Sequence, residues 1–206
     1  MARKSKEDAE KTRQAVIESA LDVFSEKGYA RATFDEIAQR AGFTKGAVYW
    51  YFRNKADLVA ALISEYVEKK HSELMPKFSK GDTLEDLLNY FTLWAEVLRD
   101  DVRYSKFNRF VICQMEWSEA VVAKVNKALA MQKDWHLEKI KEVLISCQER
   151  GELKEGIDLT KVCKIIRSTY LGIVFSSLNM FTDGDIVDNV RTGLGFLFEG
   201  LKSRKV

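Results

Sequence analysis

A single proline, Pro76, interrupts 206 residues, and only eleven glycines accompany it. Proline ends helices because it lacks an N–H donor and clashes with the preceding turn, so a chain nearly free of it can sustain long helices. The apolar residues use that freedom, recurring at i, i+3 and i+4 rather than at alternate positions. Val16, Ile17, Ala20, Leu21 and Phe24 make one such stripe, and Leu84, Leu87, Leu88, Phe91, Trp94 and Leu98 make another. No stretch keeps the two-residue period of a strand. An all-α fold of about nine helices is expected.

Capping residues place the helix ends. Ser5 with Asp8 opens the first helix and Gly28 stops it. Thr33 opens a second with the capping-box sequence TFDE and Gly42 ends it, whereupon Thr44 caps a third that carries KGAVYWYF. Asn54, with Asp57, opens a fourth that runs towards Pro76, and Thr83 caps the next. The pattern continues with a helix around Tyr104–Glu116, a long one from Ser118 to Arg150 closed by Gly151, and two more over 158–181 and 185–202. We expect a small front module over residues 1–55 and a larger helical body over 56–206, joined rigidly through the fourth helix.

The stretch from Phe34 to Phe52 carries the function. Two short helices can cross at about 90–120° only if small residues meet at the crossing and a glycine supplies the turn. Ala38, Gly42 and Val48 stand four and six residues apart, the spacing a helix-turn-helix requires. Three consecutive aromatics, Tyr49, Trp50 and Tyr51, point in three directions around the second helix, so at least one must face outward. An ordinary helix pair in a bundle core would not leave that face free. The charge balance agrees mildly: residues 1–55 hold eleven Lys/Arg against eight Asp/Glu, and the remainder 22 against 23.

ARATFDEIAQRAGFTKGAVYWYFRNKADLVAAL resembles the DNA-binding region of the tetracycline-repressor (TetR) family. KEDAEKTRQAVIESAL and GAVYWYFRNKADL look most like its multidrug-efflux-repressor branch, and the clear resemblance spans about residues 6–63. It implies phosphate contacts at Thr33, Tyr49 and Lys55, which set register without reading sequence. It places Thr44, Lys45, Gly46 and Trp50 against base edges or the flanking backbone, with Lys45 suited to guanine O6/N7 and Thr44 to a thymine methyl group. Thr44 can equally serve only as the helix cap. The family commonly has His before the Phe of this helix, where this chain has Tyr51, whose hydroxyl could substitute at a phosphate.

The resemblance further implies a cavity in the body for a small hydrophobic effector. Trp94, Asn108, Ile112, Trp135, Tyr170 and Val174 are the candidate lining residues, although an aromatic stripe can also be plain core. His136 beside Trp135 offers an orienting group. RTGLGFLFEGL sets three glycines inside a helix, each costing about 1 kcal/mol against alanine, so external packing is needed. Val190, Gly193, Leu194, Leu197 and Leu201 are the candidate homodimer interface, with burial against the chain's own body as the alternative. A dimer would set two recognition helices about 34–36 Å apart on a palindromic double-stranded operator.

The helix-turn-helix and the resemblance together imply a ligand-responsive DNA-binding transcriptional regulator, expected to be a repressor of a multidrug efflux system. A scaffold that binds another protein through exposed aromatics is the alternative. Ligand would favour one spacing of the recognition helices over another by moving the fourth helix. There is no Gly-rich phosphate loop, GxSxG or HExxH, and Glu68–His71 is a lone ExxH where a di-iron bundle needs two, so the chain does not read as an enzyme. Two histidines cannot supply a His-rich metal site, and no cofactor is expected. Cys113, Cys147 and Cys163 lie far apart and read as small hydrophobes. The polar N-terminus and 31% charged residues predict a cytoplasmic protein with no membrane partner.

Overall fold

The computed structural model describes residues 6–77, 81–129 and 135–203. Ten α-helices run through them: α1 Lys6–Lys27, α2 Phe34–Ala41, α3 Lys45–Tyr51, α4 Lys55–Leu74, α5 Leu84–Asp100, α6 Val102–Arg109, α7 Glu119–Leu129, α8 Trp135–Glu149, α9 Leu159–Leu178 and α10 Ile186–Leu201. A 3-10 turn at Met75–Lys77 follows α4, and a π-helical turn at Phe110–Gln114 follows α6. No strand forms among the described residues, and Leu153 and Lys202 make an isolated antiparallel bridge. No helix among them is long and apolar enough to cross a membrane. The expected helix from Ser118 to Arg150 is described as two, α7 and α8, and residues 130–134 lie outside the described residues, as does the Ser5 cap.

The helix ends fall where the capping residues place them. Thr33 Oγ1 accepts from the Glu36 N–H at 3.3 Å while the Glu36 carboxylate accepts from the Thr33 N–H at 3.0 Å, closing both halves of a capping box. Thr83 and Asp86 repeat the device at α5. Thr44 Oγ1 caps α3 through the Ala47 N–H, and Asn54 Oδ1 caps α4 through the Asp57 N–H. Gly42 adopts φ 75°, the left-handed conformation that ends α2 and turns the chain at once into α3.

The chain falls into two compact units. The first comprises described residues of 1–72 and 106–132. Its core is the buried stripe of α1, with Val16, Ile17, Ala20, Leu21 and Phe24 fully enclosed. Ile37 and Val48 enter it from α2 and α3, and Leu58 and Leu62 from α4. The Phe24 ring stacks on Phe110 at 5.2 Å with the planes 7° apart, and Tyr66 stacks on Phe107 at 4.7 Å. Asp22 holds Lys106 at 2.7 Å, and Asp57 holds Lys124 at 2.5 Å.

The second unit comprises described residues of 73–105 and 133–206. Here α5 packs against α10 and α8, and α9 lies between α8 and α10. Gly193 permits a close approach of α9, because a Cβ there would meet Ile173 Cδ1 at 2.8 Å. Arg150 locks the turn before α5, reaching the Asp82 carboxylate at 2.8 Å and its carbonyl at 3.0 Å. Cys147 and Cys163 are buried and Cys113 is half-buried.

Two outcomes follow. Phe24→Ala removes a fully enclosed ring and its stacking on Phe110, so denaturant unfolding should show a loss of about 3–5 kcal/mol. The Glu36 carboxyl is held below its usual range first by Lys27 and then by Thr33. A depressed carboxylate pKa adds stability above the unfolded value, lost as pH falls through the folded one. Melting curves of wild type and Glu36→Gln should therefore differ near neutrality and converge in acid.

Candidate nucleic-acid interface

The α2–turn–α3 pair divides its residues sharply between inside and outside. Val48 is the one buried residue of α3. It meets a platform in which Ile37 is fully enclosed and Ala38 nearly so. Gly42 has no heavy atom within 4 Å of a built Cβ, so the backbone angle, not crowding, makes glycine the residue for this turn. The Phe43 N–H donates to the Ala38 carbonyl at 2.9 Å, fixing the exit direction.

With Val48 inward, the opposite face of α3 faces out. Lys45 and Gly46 are exposed, Tyr49 is 51% exposed and Trp50 74% exposed. Large apolar rings left so open mark a surface that meets another molecule. Tyr49 is steadied edge-on against Phe34 at 4.9 Å, and Trp50 edge-on against Tyr51 at 4.5 Å. Thr33 and Thr44 lie exposed at the two helix starts, each with its hydroxyl used in a cap. Thr33, Thr44, Lys45, Gly46, Tyr49 and Trp50 thus occupy the outer part of one helix pair.

Tyr51 and Lys55 are placed differently. The Tyr51 hydroxyl donates to the Ala9 carbonyl of α1 at 2.8 Å, so its proton is committed inside the unit. Lys55 Nζ donates to the carbonyls of Tyr29 and Ala30 at 2.8 and 2.7 Å and lies 4.9 Å from the centre of the Tyr29 ring. Two of its three donors are thereby taken up in holding the turn after α1. Both residues act first as internal braces. A side chain that reaches forty-two residues back, as Tyr51 does, leaves no trace in local spacing. The same holds for an ion pair absent from the sequence reading: Lys45 Nζ sits 2.6 Å from Asp35 Oδ2.

The second unit gathers an aromatic shell. Tyr90, Phe91 and Trp94 of α5, His136 of α8 and Tyr170 of α9 surround one another. Tyr90 Oη and His136 Nδ1 are 2.9 Å apart, and Phe91 lies parallel to the imidazole within 13°. Burial first, then Tyr104 and Tyr90, push the Tyr170 phenol well above its ordinary pKa, so it stays a neutral donor. Trp94 Nε1 is buried with no hydrogen-bond partner. Of the expected lining residues, Trp94, Tyr170 and Val174 are buried in this unit and Trp135 is half-buried beside His136. Asn108 and Ile112 belong to the first unit and are half-buried there.

The expected dimer residues divide as well. Val190 and Leu194 are fully buried within the second unit, on the helix that packs on α5 and α9, and the close approach at Gly193 is to α9 of the same chain. Packing on the chain's own body, the alternative weighed from sequence, accounts for these three. Leu197 and Leu201 are half-buried. The apolar groups that α9 and α10 leave outside are Ile165, Leu171, Phe175 and Phe196.

Residues 16–62 match the family profile "Bacterial regulatory proteins, tetR family". Over 204 residues, and 96% of both chains, the protein is 29% identical to a probable HTH-type transcriptional regulator, ArpR, of Pseudomonas putida. The fold is shared with NalD, the secondary repressor of the MexAB-OprM multidrug efflux pump in Pseudomonas aeruginosa. That match has a TM-score of 0.77 at 23% identity, over 97% of this chain and 100% of that one. It is shared also with SmeT in complex with triclosan, at a TM-score of 0.77 and 24% identity over 95% and 93% of the two chains. The helix-turn-helix built on Ala38, Gly42 and Val48 lies within the stretch that matches the profile of the tetR family of bacterial regulatory proteins.

Proposed function

We propose that the protein is a transcriptional repressor that binds a palindromic DNA operator through α3 and releases it when a small hydrophobic ligand binds. The observation that carries this reading is the outer face of α3, where Tyr49 and Trp50 stand exposed beside Lys45 while Val48 anchors the helix. A seven-residue helix this open has the dimensions of a major-groove reader, with its first residues at base edges. Tyr49, Thr33 and the third donor of Lys55 are suited to phosphates, and Lys45, Thr44, Gly46 and Trp50 to the groove. Residues 1–55 form the DNA-binding domain in this reading and residues 56–206 the regulatory one.

The aromatic shell supports a ligand site in the second unit. A buried indole N–H without a partner forfeits a hydrogen bond that an acceptor-bearing ligand would restore. A planar aromatic compound with a hydroxyl or carbonyl group suits Trp94, Tyr170 and His136 together. Ile165, Leu171, Phe175 and Phe196 supply an apolar surface for a homodimer. The likeness to ArpR, NalD and SmeT favours an efflux system as the regulated target.

The DNA reading is tested by fluorescence anisotropy against DNA from upstream of the protein's own gene, with a scrambled duplex beside it. Binding should be tighter to the upstream duplex and fall log-linearly with salt, with a slope of about −0.9 for each phosphate contacted. Tyr49→Ala with Trp50→Ala should abolish the preference without lowering the melting temperature. No preference over scramble, in upstream DNA and in a genomic-fragment selection alike, would favour the scaffold alternative. For the ligand site, triclosan (an aromatic phenol) should quench tryptophan emission. Trp94→Phe should weaken its affinity about fivefold, the scale of one hydrogen bond. Unchanged affinity would place the ligand elsewhere.

A further inference from the structure

Asp35 lies in the first turn of α2 and Lys45 in the first turn of α3, and their side chains meet across the helix-turn-helix at 2.6 Å. Both are open to solvent, at 63% and 51% of their side-chain surface. An ion pair so exposed adds little to folding. Nor does Asp35 take part in the Thr33–Glu36 capping box, whose hydrogen bonds all run through Glu36. Its consequence is for what Lys45 can reach.

Lys45 is the only cation of α3. An ammonium on a flexible stem binds any phosphate it meets, and attraction of that kind is what sequence-independent DNA binding consists of. A carboxylate already bonded to that ammonium competes with phosphate oxygens for its protons and repels the phosphates themselves. A neutral acceptor in the groove carries no charge to be repelled, and two donors of the ammonium remain for it. Discrimination of this kind comes from an unfavourable element set against the wrong partner as much as from a favourable one for the right partner.

We propose that Asp35 is a specificity-determining residue: it holds the Lys45 ammonium away from phosphates, so that Lys45 favours the cognate site over arbitrary DNA. The proposal rests on the DNA-binding reading above. Asp35 acts through Lys45 and is a positioning residue for it.

The test uses the full chain, a cognate duplex taken from the upstream region or from the genomic selection, and a scrambled duplex, each titrated at several salt concentrations. Asp35→Asn should tighten binding to the scramble more than to the cognate duplex, lowering the affinity ratio about fivefold, the scale of an exposed ion pair. Its salt slope on the scramble should steepen by about 0.9, one added phosphate contact. In a Lys45→Ala background the same substitution should change the ratio little. Glu149→Gln on α8 removes an equal charge in the other unit and should leave the ratio where it was. An equal gain on both duplexes, a gain matched by Glu149→Gln, or a gain that persists without Lys45 would overturn the role of Asp35 while leaving the repressor reading intact. A wild-type chain that prefers no duplex over scramble would overturn both.

Discussion

The left-handed residue at Gly42 decides what α3 can show to the outside. With φ at 75°, α2 ends within one residue and Thr44 begins the next cap two positions later. A side chain at this position would strain the backbone although there is room for it. From that angle the rest follows in order: Val48 drops onto the Ile37–Ala38 platform, and the face carrying Lys45, Tyr49 and Trp50 is turned away from the core. The energy that keeps aromatic rings in water comes from elsewhere in the first unit, chiefly the enclosed stripe of α1 and the Phe24–Phe110 stack.

Much of this was legible in the sequence because it is local. Capping boxes at Thr33 and Thr83, the caps at Thr44 and Asn54 and the turn at Gly42 depend on residues within four positions of one another, and each formed as the residue types dictate. The same holds for the helical stripes. What was not legible depends on distant partners. Tyr51 bonds to Ala9 and Lys55 to Tyr29 and Ala30, so two residues expected to meet phosphates brace the module first. On α10, the heptad-like run of Val190 and Leu194 was ambiguous between a partner copy and the chain's own α5 and α9, since both reward the same spacing. Both residues are buried within the chain itself, and Phe196, two residues on from Leu194, is the ring left outside.

The second unit follows a different logic. Its shell of Tyr90, Phe91, Trp94, His136 and Tyr170 has the rings and the density of ordinary core, yet it holds polar atoms that ordinary core avoids. A purely structural core would place leucine where Trp94 leaves an indole N–H unmatched. Residues that cost stability without a local return are expected where a site must accept something from outside. The two units therefore differ in where their rings lie: the first leaves Tyr49 and Trp50 open to solvent, and the second packs its rings inside.

If the outer face of α3 is the part of the chain that touches DNA, a bound duplex must shield it. Amide hydrogen exchange of the full chain, with and without a selected duplex, tests it directly. Slowed exchange is expected in peptides spanning Thr33–Phe52, greatest over Thr44–Trp50, with α9 unchanged by the duplex from Ile165 to Phe175. Protection that appears only outside Thr33–Phe52, or a duplex that slows exchange nowhere, would contradict it.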